Sequence, residues 1–215
     1  MNILLIHGLG RTPLSLWGMA NALQKAGHTT EFFGYVTVFQ SFDDIAFRLR
    51  DRLRKLSGRG PYGIVSHSMG GILTRAALAE PIDFPLPHHV VMLAPPNRSP
   101  RAARIANRLL PFRWFATQSG HNMASQTFYA QLPKLKCPYT LIAGTIGPTG
   151  SLSPFGEEIN DLIVGISEIR MEAHDPIVQI EALHSFIMNH DMAQRAAIDA
   201  FSRRPTSLPF PVDLA

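Results

Sequence analysis

Short runs of apolar, often β-branched residues alternate along this chain with longer segments whose apolar positions recur every three to four residues. The strand-like runs are NILLI at 2–6, residues 29–33, YGIVS at 62–66, HVVMLA at 89–94, YTLIA at 139–143 and a last one within PIVQIEA at 176–182. Runs this apolar suit strands covered on both faces, and strands separated by helical segments pair in parallel through crossover connections. The pattern therefore predicts an α/β fold, a predominantly parallel sheet with helices on both faces.

Punctuation supports the helical readings. Thr12-Pro13 resembles an N-cap followed by proline at the first helical position, starting a helix that Gly27 ends. Ser41 with Asp44 resembles a cap, followed by Phe42, Ile45, Ala46, Leu49, Leu53 and Leu56 at helical spacing up to Gly58. Met69–Ala79 reads as a third helix, 100–110 as another and Met192–Phe201 as the closing one. With 215 residues and no repeat or linker, one domain over 1–215 is expected, its proline-rich tail at 203–215 lying on the surface.

Several function classes lose support. MNILLIHG carries no signal-peptide pattern, so a cytoplasmic protein is expected, and no apolar stretch approaches the roughly 20 residues of a membrane span. Peripheral membrane association stays open. The single cysteine, Cys137, precludes an intrachain disulfide and reads as a packing residue. Without cysteine pairs, and with scattered histidines, no metal site is expected; without a G-x-x-x-x-G-K-[ST] loop, neither is nucleotide chemistry. No cofactor is called for. Net charge +4 raises the question of nucleic acid, but the chain has no recognised binding module, and no nucleic-acid partner is expected.

The sharpest chemical signal is S-H-S-M-G at 66–70, between a predicted strand and a predicted helix. A nucleophile on such a turn is held in a strained conformation, and the residues two before and two after it must be small. Gly70 meets that demand, and Ser66 is small where glycine is usual. The helix that follows would aim its N-terminus at Ser68 and favour a developing negative charge there.

With ILLIHGLG at 3–10, IVSHSMGGIL at 64–73, VVMLAPPN at 90–97 and the surroundings of His184, the chain resembles the α/β-hydrolase superfamily, in particular its small lipase- and esterase-like members. The resemblance spans nearly the whole length. It implies that the backbone N–H groups of Leu9 and Met69 form an oxyanion hole, each donor contributing about 3 kcal/mol to transition-state stabilisation. His7 reads as a structural hydrogen-bonding residue.

A serine nucleophile needs a base, and the base a carboxylate. In the superfamily these follow the order serine, acid, histidine. Of nine histidines, His7, His28 and His67 precede or adjoin Ser68, and His88, His89 and His121 precede every carboxylate after Asp83. His184, just before the final helix, matches the superfamily's base; His190 and His174 are the alternatives. No acidic residue lies between Asp83 and Glu157. Asp161 in INDLIV resembles the superfamily's acid turn N-D-G-x-V, with Leu162 in place of the glycine; Asp175, Glu158 and Glu157 are alternatives, otherwise solvated loop carboxylates.

The expected activity is hydrolysis of carboxylic esters through an acyl-enzyme on Ser68, the substrate a small-molecule or lipid ester. The competing readings are a silent binding protein on the same fold and an acyltransferase or thioesterase using the same residues. The acid-free interval holds Arg98, Arg101, Arg104, Arg108, Arg113, Lys134 and Lys136. Its segment 98–113 suggests an anionic substrate if Arg101, Arg104 and Arg108 border the site, and a solvated helix face otherwise. Phe112, Trp114 and Phe115 line an acyl site or simply pack. Short connections predict no large lid and no interfacial activation.

Overall fold

A computed structural model describes residues 1–98, 101 and 126–202. Among the described residues there are six strands, β1 (Asn2–Ile6), β2 (Thr29–Phe33), β3 (Tyr62–His67), β4 (His89–Leu93), β5 (Tyr139–Gly144) and β6 (Ile177–Ile180). They form one sheet in the order β2-β1-β3-β4-β5-β6, and every pairing is parallel.

Successive residues of a strand face opposite sides, and the sheet builds two cores accordingly. Leu4, Ile6, Ile64, Val90, Met92 and Leu141 face one side, against α2 (Phe42–Ser57) and α3 (Met69–Ala77). Ile3, Leu5, Val65, Val91, Leu93 and Ile142 face the other, against α1 (Trp17–Lys25) and the last helix, Asp191–Ser202. All twelve of these strand side chains are buried, and burying a side chain of this size stabilises by about 1.5–3 kcal/mol.

The second helix follows its sequence signals closely. Ser41 Oγ accepts the Asp44 N–H at 3.1 Å, and the six expected apolar residues are its buried face. The first differs from expectation. Thr12 makes no side-chain cap, Pro13–Leu16 is a 3-10 turn, and α-helix begins only at Trp17; Gly27 ends the segment at φ 87° as expected. The expected helix at 100–110 and the tail at 203–215 lie outside the described residues.

Because all strands are parallel, every loop that leaves a strand's C-terminal end opens on the same edge of the sheet. β1 and β3 are neighbours whose connections then diverge, and such a switch point is where open α/β sheets bind ligands. The H-G-L-G segment follows β1, and Ser68 follows β3. No described helix is long and apolar enough to cross a membrane.

Candidate active site

Ser68 occupies the single position between β3 and α3, with φ 52° and ψ −122°. A non-glycine residue held there costs about 1–3 kcal/mol, repaid by its surroundings. Its N–H donates to Leu93 O at 2.9 Å. A side chain on Gly70 would sit 2.6 Å from the carbonyl oxygen of Ile6, so glycine is required there. On the preceding side serine suffices: Ser66 is fully buried, its Oγ 3.4 Å from Val91 O.

The structure brings Ser68, His184 and Asp161 into one hydrogen-bonded run. Ser68 Oγ lies 2.9 Å from His184 Nε2, and His184 Nδ1 lies 2.7 Å from Asp161 Oδ2. Asp161 is wholly buried, and its second oxygen accepts the N–H groups of Ile163 at 3.0 Å and Val164 at 2.7 Å. Its own carbonyl accepts the His184 N–H at 3.0 Å, so acid and base are tied through backbone and side chain. A carboxylate only accepts, hence Nδ1 of His184 carries the proton and Nε2 faces the serine with a lone pair.

The acid turn departs from the usual glycine and pays a conformational cost. Leu162 has φ 89°, a region that favours glycine. Asn160 Oδ1 accepts the Leu162 N–H at 2.9 Å, and the two bonds to Asp161 Oδ1 close the turn from the other side.

Met69 N–H is the first of α3, next to Ser68. The loop bearing Leu9 can approach because Gly8 lacks a side chain: a Cβ there would lie 3.1 Å from Ser68 Cβ and 2.9 Å from His67 Nδ1. His7 is structural, its Nδ1 2.9 Å from Gly8 O, its ring stacked on Tyr35 at 4.1 Å, its carbonyl accepting the Tyr35 hydroxyl at 2.6 Å. Burial lowers its pKa, keeping it neutral.

The remaining candidates have other work. His174 is exposed, and His190 accepts the Met192 N–H on Nδ1. Glu157 is solvated, Glu158 is half-buried and Asp175 is buried. Buried Asp175 accepts from the Tyr139 hydroxyl and from Met171 and Glu172 N–H, while Glu158 binds Arg101 and accepts the Ser167 N–H. Arg101 also pairs with buried Glu168 at 2.8 Å, so its charge is already balanced by two carboxylates. Arg104, Arg108, Phe112, Arg113, Trp114 and Phe115 lie outside the described residues. Burial pushes the Cys137 thiol up to about 12, consistent with packing. Among the described residues no cluster of three or more His, Cys, Asp or Glu is arranged to hold a metal ion.

Two further side chains reach the site, His67, which chain order had set aside, and Arg11, which no sequence pattern singled out. His67 Nε2 lies 3.0 Å from His184 O, and Arg11 donates to Ser185 O at 2.7 Å. Both contacts join residues more than 110 positions apart, with no local pattern to announce them.

The model of the alpha/beta hydrolase family matches residues 3–210. Among solved structures, a lipase from Bacillus licheniformis has a TM-score of 0.74 at 20% identity, covering 92% of this chain and 90% of its own. A thioesterase from the prodiginine biosynthetic pathway of Streptomyces coelicolor has 0.61 at 14%, covering 94% and 89%. A phospholipase from Legionella pneumophila has 0.62 at 18%, covering 80% and 45%. At these identities the likeness is one of fold. No curated protein matches in sequence.

Proposed function

The chain belongs to the alpha/beta hydrolase family, and on that footing we propose that it is a serine hydrolase of carboxylic esters acting through an acyl-enzyme on Ser68. The observation that carries this reading is the run from Asp161 through His184 to Ser68, at 2.7 and 2.9 Å, ending on a strained turn at a helix N-terminus.

The chemistry follows from the protonation pattern. As Ser68 Oγ attacks the ester carbonyl carbon, its proton passes to His184 Nε2, and Asp161 stabilises the resulting imidazolium. The carbonyl oxygen becomes an oxyanion facing the Leu9 and Met69 N–H groups. Collapse of the tetrahedral intermediate breaks the bond to the alcohol, which leaves with the proton from His184. Water then repeats the sequence on the acyl-enzyme, with His184 as base, and releases the carboxylic acid.

A groove of about 660 Å³ favours a small-molecule or lipid ester with an apolar portion. It is lined by Pro13, Tyr35, Val36, Val38 and Phe39 and shares Gly10 and Arg11 with the loop that bears Leu9. The test is hydrolysis of aryl esters of graded acyl length, with thioesters alongside. Ser68→Ala is expected to abolish turnover, and an aryl phosphonate to form one adduct, on Ser68. Undiminished turnover in Ser68→Ala would refute the assignment; absence of the adduct in folded protein would favour a binding protein.

A further inference from the structure

His67 is a buried imidazole for which the mechanism above has no use. It ends β3, immediately before Ser68, and is 2% exposed. Its Nε2 lies 3.0 Å from the carbonyl oxygen of His184. A carbonyl only accepts, so Nε2 carries the proton. Nδ1 is then a lone pair, buried without a hydrogen-bond partner among the described residues and pressed against Gly8, where an added Cβ would lie 2.9 Å away. The ring also packs on the His184 ring, with centroids 4.9 Å apart.

One side chain thus touches two separate loops of the site. Through Gly8 it meets the loop that carries the Leu9 N–H, and through the His184 carbonyl it meets the loop that carries the base. Neither loop is part of the sheet, whereas His67 is, at the end of a strand paired on both sides. We infer that His67 is a positioning residue, anchoring the backbone of His184 to the sheet and fixing its imidazole relative to Ser68 and the oxyanion loop.

His67 Nε2 donates to the His184 carbonyl whether the ring is neutral or charged, but a charged ring would set a second positive charge beside His184 when His184 takes up its proton. Burial, with the neighbouring His184 and Arg11, keeps the His67 pKa well below the ordinary histidine value, although its bond to the His184 carbonyl pulls the other way. A second positive charge beside the imidazolium is thereby avoided. The adjacent carbonyl, that of Ser185, is held by Arg11 at 2.7 Å, so two consecutive peptide units of the base loop are clamped by side chains from other loops and strands.

This role rests on the serine-hydrolase reading, and the test separates the two. His67→Gln places an amide N–H where Nε2 was; His67→Asn keeps the polarity but is too short to reach; His67→Leu keeps bulk and loses the donor. Each is compared with the parent in kcat and KM for an aryl ester, in the rate of labelling by an aryl phosphonate, and in the downfield proton resonance of His184 Nδ1–H. His67→Leu and His67→Asn are expected to lose about tenfold to a hundredfold in kcat and labelling rate, the scale of a displacement near 1 Å, with KM unchanged and the resonance broadened. His67→Gln is expected to stay within about threefold of the parent, an energy difference below one net hydrogen bond.

Equal loss in all three variants would overturn the inference, since the effect would then be one of ring shape. So would full activity in His67→Asn, or a loss confined to KM. Should the parent turn over no ester, the hydrolase reading fails, while the labelling rate and the resonance still report whether His67 orders the base. Because His67→Asn and His67→Gln both retain a polar side chain, the comparison holds even if His67→Leu does not fold.

Discussion

Replacing Asp161 with asparagine changes one atom pair in a fully hydrogen-bonded setting, and the consequence can be worked out from the bonds. Asp161 Oδ1 accepts two backbone N–H groups, from Ile163 and Val164. An asparagine must keep its oxygen on that side, because turning its NH₂ toward two donors would leave all of them unpaired. The NH₂ therefore faces His184 Nδ1, which lies 2.7 Å from the present Oδ2. Nδ1 must then accept, the imidazole proton moves to Nε2, and Nε2–H points at Ser68 Oγ, where it cannot take the serine's proton. The expected loss in kcat is about 10⁴-fold, about 5.5 kcal/mol in the barrier. Folding stability is expected to change far less, by about 1 kcal/mol, because both backbone bonds survive. Initial rates on an aryl ester, with urea unfolding of the same preparations, measure both. Activity of Asp161→Asn within tenfold of the parent would refute the reasoning and return the choice of acid to the other carboxylates.

Three further outcomes test other parts of the structure. Gly63 in β3 lies beneath the ring of Phe201, where a Cβ would be 2.4 Å from Cε1; Gly63→Ala is expected to destabilise by about 1–3 kcal/mol in urea unfolding, and Phe201→Leu in the same chain to recover part of it. Leu162 is half-exposed at φ 89°, so Leu162→Gly is expected to stabilise by up to about 1 kcal/mol, relief of backbone strain exceeding glycine's added unfolded-state entropy. A loss of stability there would mean that the turn carries no strain. His67 is held neutral in the folded protein but takes up a proton near 6.5 when unfolded, so the unfolded state binds more protons below that pH. Its contribution to stability is therefore present above about pH 6.5 and is lost as pH falls from there toward the lower folded-state value, with a slope of at most about 1.4 kcal/mol per unit. Unfolding midpoints at stepped pH should fall less steeply in His67→Gln; an identical slope would place the acid sensitivity elsewhere.

Much of this molecule was legible because its signals are local. Strand apolarity, the Ser41–Asp44 cap, the spacing of Phe42 to Leu56 and the glycine at 27 are properties of neighbouring residues, and they led to the six strands and to α2 with few errors. The first helix starts later than Thr12-Pro13 indicates, because a proline after threonine also opens a 3-10 turn, and only packing decides between them. Ser68, Asp161 and His184 are the residues that the S-H-S-M-G motif and the superfamily's chain order single out, and the structure brings the three into hydrogen-bonding contact.

By itself, then, the sequence determined the class of fold and the strand-to-helix turn that bears Ser68, both written in residues a few positions apart, while the resemblance to the superfamily supplied the chain order that singled out Asp161 and His184. Tertiary structure alone decided which charges and polar groups are already satisfied. Arg101 is neutralised by Glu158 and Glu168, Asp175 closes its own loop onto Tyr139, and His67 binds the backbone of His184. These pairings join distant segments that meet only once the sheet has formed, Tyr139 and Asp175 where β5 and β6 begin, His67 and His184 at the opposite edge where the outgoing loops gather. The left-handed Leu162 belongs to the same group: its sequence marks a missing glycine, but only the hydrogen bonds of Asn160 and Asp161 explain how the turn forms without one.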